Sequence, residues 1–308
     1  MPLAVVYKFF DDQGGYLAAA LTYYALVAIL PLLLIASSVL GFVLQSDPAL
    51  EHQILTSALA QFPIVGDQLG RPGGIQGSGS AVVVGFLAAT YGAIGLAQAA
   101  QNAVNVVWAI PRNSRLNPVV SRFRSLAWLV VAGLALVLVA VLTSVSSHVE
   151  IFGSDLNGAV HWVVVVVTVV VTSVVLAQMM RWTTPQKERL RDVLPGAVLI
   201  ALLWQLLQMV GGAYVSHVIT KASEMNGVFA VVLGLVALLY VAGVMAMLGL
   251  ETNVVLGKHL YPRALLTPFT DSIELTDADR KVYRDYAGAQ RHKGFQRIDV
   301  TFEEPPQS

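Results

Sequence analysis

Cysteine is absent from the 308 residues, and that one absence removes disulfides, thiolate nucleophiles and Cys-based metal sites. Charge is nearly as scarce. Asp, Glu, Lys and Arg make up 12% of the chain against 56% hydrophobic residues, and the mean hydropathy is +0.68, whereas a soluble globular chain is roughly a quarter charged. The formal net charge is zero, so no basic excess points to nucleic acid as a partner. A cleaved leader is not expected either. Residues 1–12 hold Lys8, Asp11 and Asp12, and the apolar run from Leu17 is too long for a signal segment.

Signatures of catalysis are missing too. There is no G-x-S-x-G elbow, no G-x-x-x-x-G-K-[ST] phosphate loop and no D-x-D pattern. The histidines His52, His148, His161, His217, His259 and His292 are scattered, with no metal-binding spacing among them. The sequence therefore predicts no enzyme, no catalytic residue, no metal and no cofactor.

What is present is six long stretches without a formal charge, residues 13–46, 72–111, 125–149, 156–180, 193–220 and 225–250. An ion at the centre of a membrane helix costs at least about 2.5 kcal/mol, and about 20 apolar residues cross a bilayer as a helix. The expected fold is therefore all-α: a polytopic membrane bundle over residues 1–257, with spans near 17–44, 81–100, 126–146, 160–180, 194–214 and 228–250. A polar tail follows over residues 258–308. The Val-rich fourth span has strand propensity, but a lone strand in lipid leaves its peptide groups unsatisfied, so a helix is expected there.

The basic residues set the orientation. All 19 except Arg71 and Lys221 fall at the N-terminus, in the second and fourth loops, or in the tail. That alternation predicts both termini on the cytoplasmic side of a bacterial inner membrane. Residues 48–62 read as an amphipathic helix on the outer interface, and the Gly-rich residues 70–80 as a loop. In the tail, Thr276-x-x-Asp279 predicts a capping box and a helix running to about Gln290.

Uncharged polar residues within the spans are the candidates for a substrate path. Gln98, Gln101, Asn102 and Asn105 recur at helical spacing at the inner end of the second span. Gln205 and Gln208 lie one turn apart in the fifth, and Tyr23, Tyr24 and Tyr240 add hydroxyls. Pro31, Gly211 and Gly212 are candidate helix breaks of the kind that expose backbone to a site. The same residues also fit plain interhelical packing. No Asp or Glu lies within the six cores, and Glu251 reads as an interfacial acid at the inner end of the sixth span. Asp192 and Pro195 read as the cap and first turn of the fifth helix.

Four segments in order, LTYYALVAILPLLL from Leu21, Trp108-Ala-Ile-Pro-Arg112, LPGAVLIALLWQLL from Leu194 and GLETNVVL from Gly249, resemble the YihY/BrkB family of bacterial inner-membrane proteins across residues 9–256. The resemblance implies six spans and a cytoplasmic C-terminus. Members of that family are linked to virulence, to serum resistance or to lipopolysaccharide export, and an older label made the family a ribonuclease, for which the dispersed histidines offer no site. This chain departs from the family at Met225-Asn226-Gly227, where an aromatic-Gly step is usual. Two functions follow as expectations: a carrier or flippase for a lipid or amphiphilic envelope molecule, neither visibly ion-coupled nor ATP-driven, or a membrane scaffold for envelope-complex protein partners. Membrane lipid is the expected partner of both.

Overall fold

The computed structural model describes residues 1–43, 79–115, 157–183, 189–214, 224–271 and 273–303, with isolated positions between 117 and 134. The described residues contain helices and no strand. A short α1 (Pro2–Asp11) leads into α2 (Gly14–Val43); α3 (Gly79–Val107) follows, then a single 3-10 turn at Arg112–Ser114. The chain continues through α4 (Asn157–Thr183), α5 (Leu190–Tyr214), α6 (Glu224–Gly257) and α7 (Asp277–Ala289). The expected outer interfacial helix and most of the third span fall outside the described residues.

Among the described residues, three segments are long and apolar enough to cross a membrane: Val165–Trp182 in α4, Leu190–Gly211 in α5 and Val232–Gly257 in α6. They overlap the expected fourth, fifth and sixth spans. The Val-rich stretch is helical throughout α4, as the unmet hydrogen bonds of a lone strand in lipid require. Helices α2 and α3 cover the expected first and second spans with 30 and 29 residues.

Helix α6 is the hub. It packs against α5, α2 and α1, α3 packs mainly on α2, and α4 on α5. Inside a membrane, helices gain little from hydrophobic burial against one another and associate through close packing. Gly92 shows the device, since a Cβ there would stand 2.7 Å from the Ala28 backbone nitrogen in α2. A second apolar contact joins Ile29, Leu207, Leu235, Leu238 and Leu239 of α2, α5 and α6.

The bundle closes at one end, the base. Here Val107, Trp108, Ile110, Val193, Met247, Val254, Val255 and Leu260 form a core with α1 and with Val282 of α7. Fully burying a side chain of this size stabilises by about 1.5 to 3 kcal/mol where it is withdrawn from water. Leu266 donates its backbone N–H to the Tyr7 hydroxyl at 2.9 Å, and the rings of Phe10 and Phe269 meet edge-on at 5.8 Å. The start of the tail is thereby folded onto α1.

Helix α7 begins as its sequence predicts. Thr276 and Asp279 form a reciprocal capping box, and the helix ends with Gln290 as its cap. The fifth helix differs from expectation: it starts at Leu190, so Asp192 lies in its first turn and Pro195 inside it. A proline this near the start deprives only the Arg191 carbonyl of its helical partner, which a helix end tolerates. The helices also run unbroken through Pro31 and through Gly211 and Gly212, so neither site interrupts its helix. Isolated Pro and Gly are accommodated in membrane helices when neighbours supply the packing.

Candidate functional site

Two polar regions emerge, one on the flank of the bundle and one inside its base. The flank begins at the tyrosines. Tyr23 is 55% exposed on α2, its ring lies 5.1 Å from that of Tyr24, and Tyr24 lies 6.5 Å from Tyr91 of α3. Along α3, Tyr91, Gln98 and Asn102 are all exposed. Spacings of seven and four residues at 3.6 per turn put them on one stripe. The stripe climbs from the base to Tyr91, roughly 24 Å from the end of α3 at 1.5 Å per residue.

The four amides predicted to share one face are divided by depth and angle. Gln101, rotated roughly 60° from Gln98, is buried, donating to the Ser121 carbonyl at 3.3 Å and accepting from the Ser121 hydroxyl. Asn105 lies where the base closes over α3, half-buried, with its Oδ1 enclosed and no donor on it among the described residues. Gln205 and Gln208 are half-buried on α5, a helix packed mainly on α4 and α6, and neither shares the α3 stripe. Tyr240 is 41% exposed on α6, with its hydroxyl beside Gly15. Gly211 is buried in α5. Of the predicted path, then, Tyr23 and Tyr24 meet and reach α3 at Tyr91, while Gln98 and Asn102 share the Tyr91 stripe.

The base is built by segments that the resemblance singled out. Gly196 lies so close to α6 that a Cβ there would overlap the Gly249 carbonyl oxygen. Its N–H donates to Asn253 Oδ1 at 2.6 Å, and Asn253 Nδ2 reaches Met180 Sδ at 3.3 Å. One side chain thus ties α4, α5 and α6 together. From the other side, Lys258 donates to the Trp108 carbonyl at 3.0 Å and pairs with Asp285 at 2.8 Å. Asn113 and Arg291 exchange a backbone bond of 3.1 Å and a side-chain bond of 3.3 Å.

Beneath these ties lies an ionic cluster. Lys8 stands 2.5 Å from Asp12 and 3.6 Å from Glu251, with side-chain exposures of 3%, 0% and 0%. Glu251 is therefore enclosed in the core, correcting its expected place as an interfacial acid. Glu251 lies one residue beyond the predicted end of the span, where α6 packs against α1. Burial opposes the ammonium of Lys8, but Glu251, Asp12 and Asp11 outweigh burial and hold its pKa above the ordinary 10.5. Arg263 pairs with Asp11 at 3.0 Å and, more closely, with Asp279. Burial raises the Asp11 carboxyl in spite of that guanidinium. Asp279 behaves oppositely. Burial works against its charge, yet donors from Ala264, Thr276 and Arg263 prevail and hold it below the ordinary 3.8.

Lys8, Asp11, Asp12, Arg263, Asp279 and Tyr286 were not among the predicted site residues. The one local signal was the i, i+4 spacing of Lys8 and Asp12. The described residues hold no group of three His, Cys, Asp or Glu able to bind a metal ion.

No curated protein and no solved structure matches the chain. A family profile described as Virulence factor BrkB matches residues 5–272, a range that takes in most of α1, the described apolar helices and the Arg263 loop and stops short of α7. With that match over most of its length, and with three helices among the described residues able to cross a membrane, the chain belongs to the BrkB family of membrane proteins.

Proposed function

We propose that the chain is a non-enzymatic carrier of a lipid or lipid-like envelope amphiphile, seated in the bacterial inner membrane with its base toward the cytoplasm. The support is the stripe of Tyr91, Gln98 and Asn102, joined by Tyr23, exposed on the outer flank of a membrane bundle. Hydrocarbon offers an amide no hydrogen bond, and an unmet polar group there costs about 2 to 7 kcal/mol. A lipid headgroup drawn along the stripe meets that need while its tails stay among the acyl chains. No charge has to enter the flank for this, in keeping with its amides and hydroxyls.

The runner-up is a scaffold for an envelope complex, in which a partner protein covers the same stripe. In its favour is a polar cleft of about 590 Å³ at the base, lined by Arg284, Arg291 and Arg297 together with Asp285 and Asp299. Arginines so placed suit an acidic partner or anionic lipid. Reconstitution into liposomes carrying fluorescent lipids separates the two readings. A carrier moves lipid between leaflets, loses most of that activity in Gln98→Leu/Asn102→Leu, and keeps more of it in Gln205→Leu/Gln208→Leu, whose positions lie off the α3 stripe. Equal rates in protein-free and protein-containing liposomes count against the carrier.

A further inference from the structure

The cluster at the base does not balance. Asp12 and Glu251 both face the single ammonium of Lys8, and all three side chains are sealed from solvent. The other cations nearby are committed elsewhere, Arg263 to Asp11 and Asp279, and Lys258 to Asp285. From α7, Tyr286 faces the cluster with its hydroxyl 3.3 Å from Lys8 Nζ. Burial and the carboxylates of Asp12 and Asp11 hold its phenol far above its ordinary range, so it adds no charge. Both carboxylate oxygens of Glu251, and Oδ1 of Asp12, lack a hydrogen-bond donor among the described residues.

A sealed carboxylate with no donor and half a counter-ion is strongly disfavoured. Something must supply positive charge and a donor together. A metal ion is a poor fit, because the Lys8 ammonium already stands against both acids and no third ligand of the usual kind is at hand among the described residues. A proton meets both needs, since on either carboxyl it cancels the surplus charge and provides an O–H.

We infer that Asp12 and Glu251 share one bound proton, which makes Lys8, Asp12 and Glu251 a proton-binding site joining the N-terminal helix to the end of α6. The site stands whether or not the carrier reading does. Its position gives it leverage. Asp12 is the C-cap of α1, and the next residue, Gln13, turns the chain into α2 through a left-handed backbone at φ 55°. Loss of the proton sets two carboxylates against one ammonium and loosens α1 from α6. If the flank does carry an amphiphile, the joint that loosens is the one holding α2.

Infrared spectroscopy of the full chain in lipid vesicles, titrated with pH, tests the inference. The wild type should show the carbonyl stretch of a protonated carboxyl at neutral pH, lost as pH rises. Glu251→Gln and Asp12→Asn, each the neutral shape of its acid, should each abolish that band while keeping the wild-type melting temperature at neutral pH. If one variant fails to fold, the other decides. Absence of the band from wild type at neutral pH, or its persistence in a folded variant of either kind, overturns the proposal. So does a melting temperature that rises with sodium and is indifferent to pH, which would assign the site to a metal cation.

Discussion

Arg263→Met probes how the tail is held to the bundle. The guanidinium is fully enclosed, pairs with Asp279, itself fully enclosed, and reaches Asp11 at 3.0 Å. Removing one partner of a buried pair typically costs about 3 to 5 kcal/mol, because the remaining charge is left uncompensated. Two features set where in that range the loss falls. Asp279 keeps its donors from Ala264 and Thr276, so it stays ionised and bears the desolvation penalty without its cation. Asp11 keeps 9% exposure of its side chain and is already raised by burial, so it escapes by taking up a proton, at about 1.36 kcal/mol for every pH unit between its pKa and the surrounding solution. A loss near the lower bound, about 3 kcal/mol, follows. Thermal unfolding of the detergent-solubilised protein, followed through tryptophan fluorescence, measures it, and limited proteolysis should show cleavage after residue 263 well before the apolar helices are cut. Combining Asp11→Asn with Arg263→Met should recover part of the loss. A change below about 1 kcal/mol, the range of exposed pairs, would refute the idea that this ion pair fastens the tail.

Other expectations follow from the same contacts. Gly196→Val forces a branched side chain into the Gly249 carbonyl and the Asn253 amide, and should cost at least about 1 to 3 kcal/mol as overpacking, seen as a lower melting temperature. Trp108→Ala empties the core of the base, at about 3 to 5 kcal/mol by the same measurement. Asp279→Asn has a pH signature. A carboxyl held below 3.8 stabilises the fold fully above that value and loses its contribution as pH falls through its folded-state pKa. The melting temperatures of wild type and variant should therefore differ at neutral pH and converge in acid. Lys8, held above 10.5, works at the other end: its contribution is complete below 10.5 and fades as pH rises past its folded-state pKa.

The apolar helices were legible because ions are excluded from hydrocarbon, so the gaps between charges located α4, α5 and α6 to within one or two helical turns. The capping box at Thr276 and Asp279 was legible for the opposite reason, being a local pattern that needs no distant partner. The base was hidden because its chemistry is long-range. Lys8 and Glu251 are far apart in sequence, and nothing beside Glu251 tells that α6 packs against α1 there. Helical spacing likewise put Gln98, Gln101, Asn102 and Asn105 on one face. It could not show that Ser121 covers Gln101 or that the base closes over Asn105 while Gln98 and Asn102 stay outside. Helix periodicity gives an angle, and burial depends on which neighbour stands at that angle.

A carrier must bring its amphiphile against the α3 stripe in a native membrane. A photo-crosslinking residue, benzoylphenylalanine, placed at Gln98 in the full chain and irradiated in cells reports that contact directly, with the adduct identified by mass spectrometry. The expected product is a lipid or lipid-linked adduct at position 98, weaker from the half-buried position 205. A protein adduct at position 98, from a partner or a second copy of the chain, with no lipid captured, would contradict the carrier.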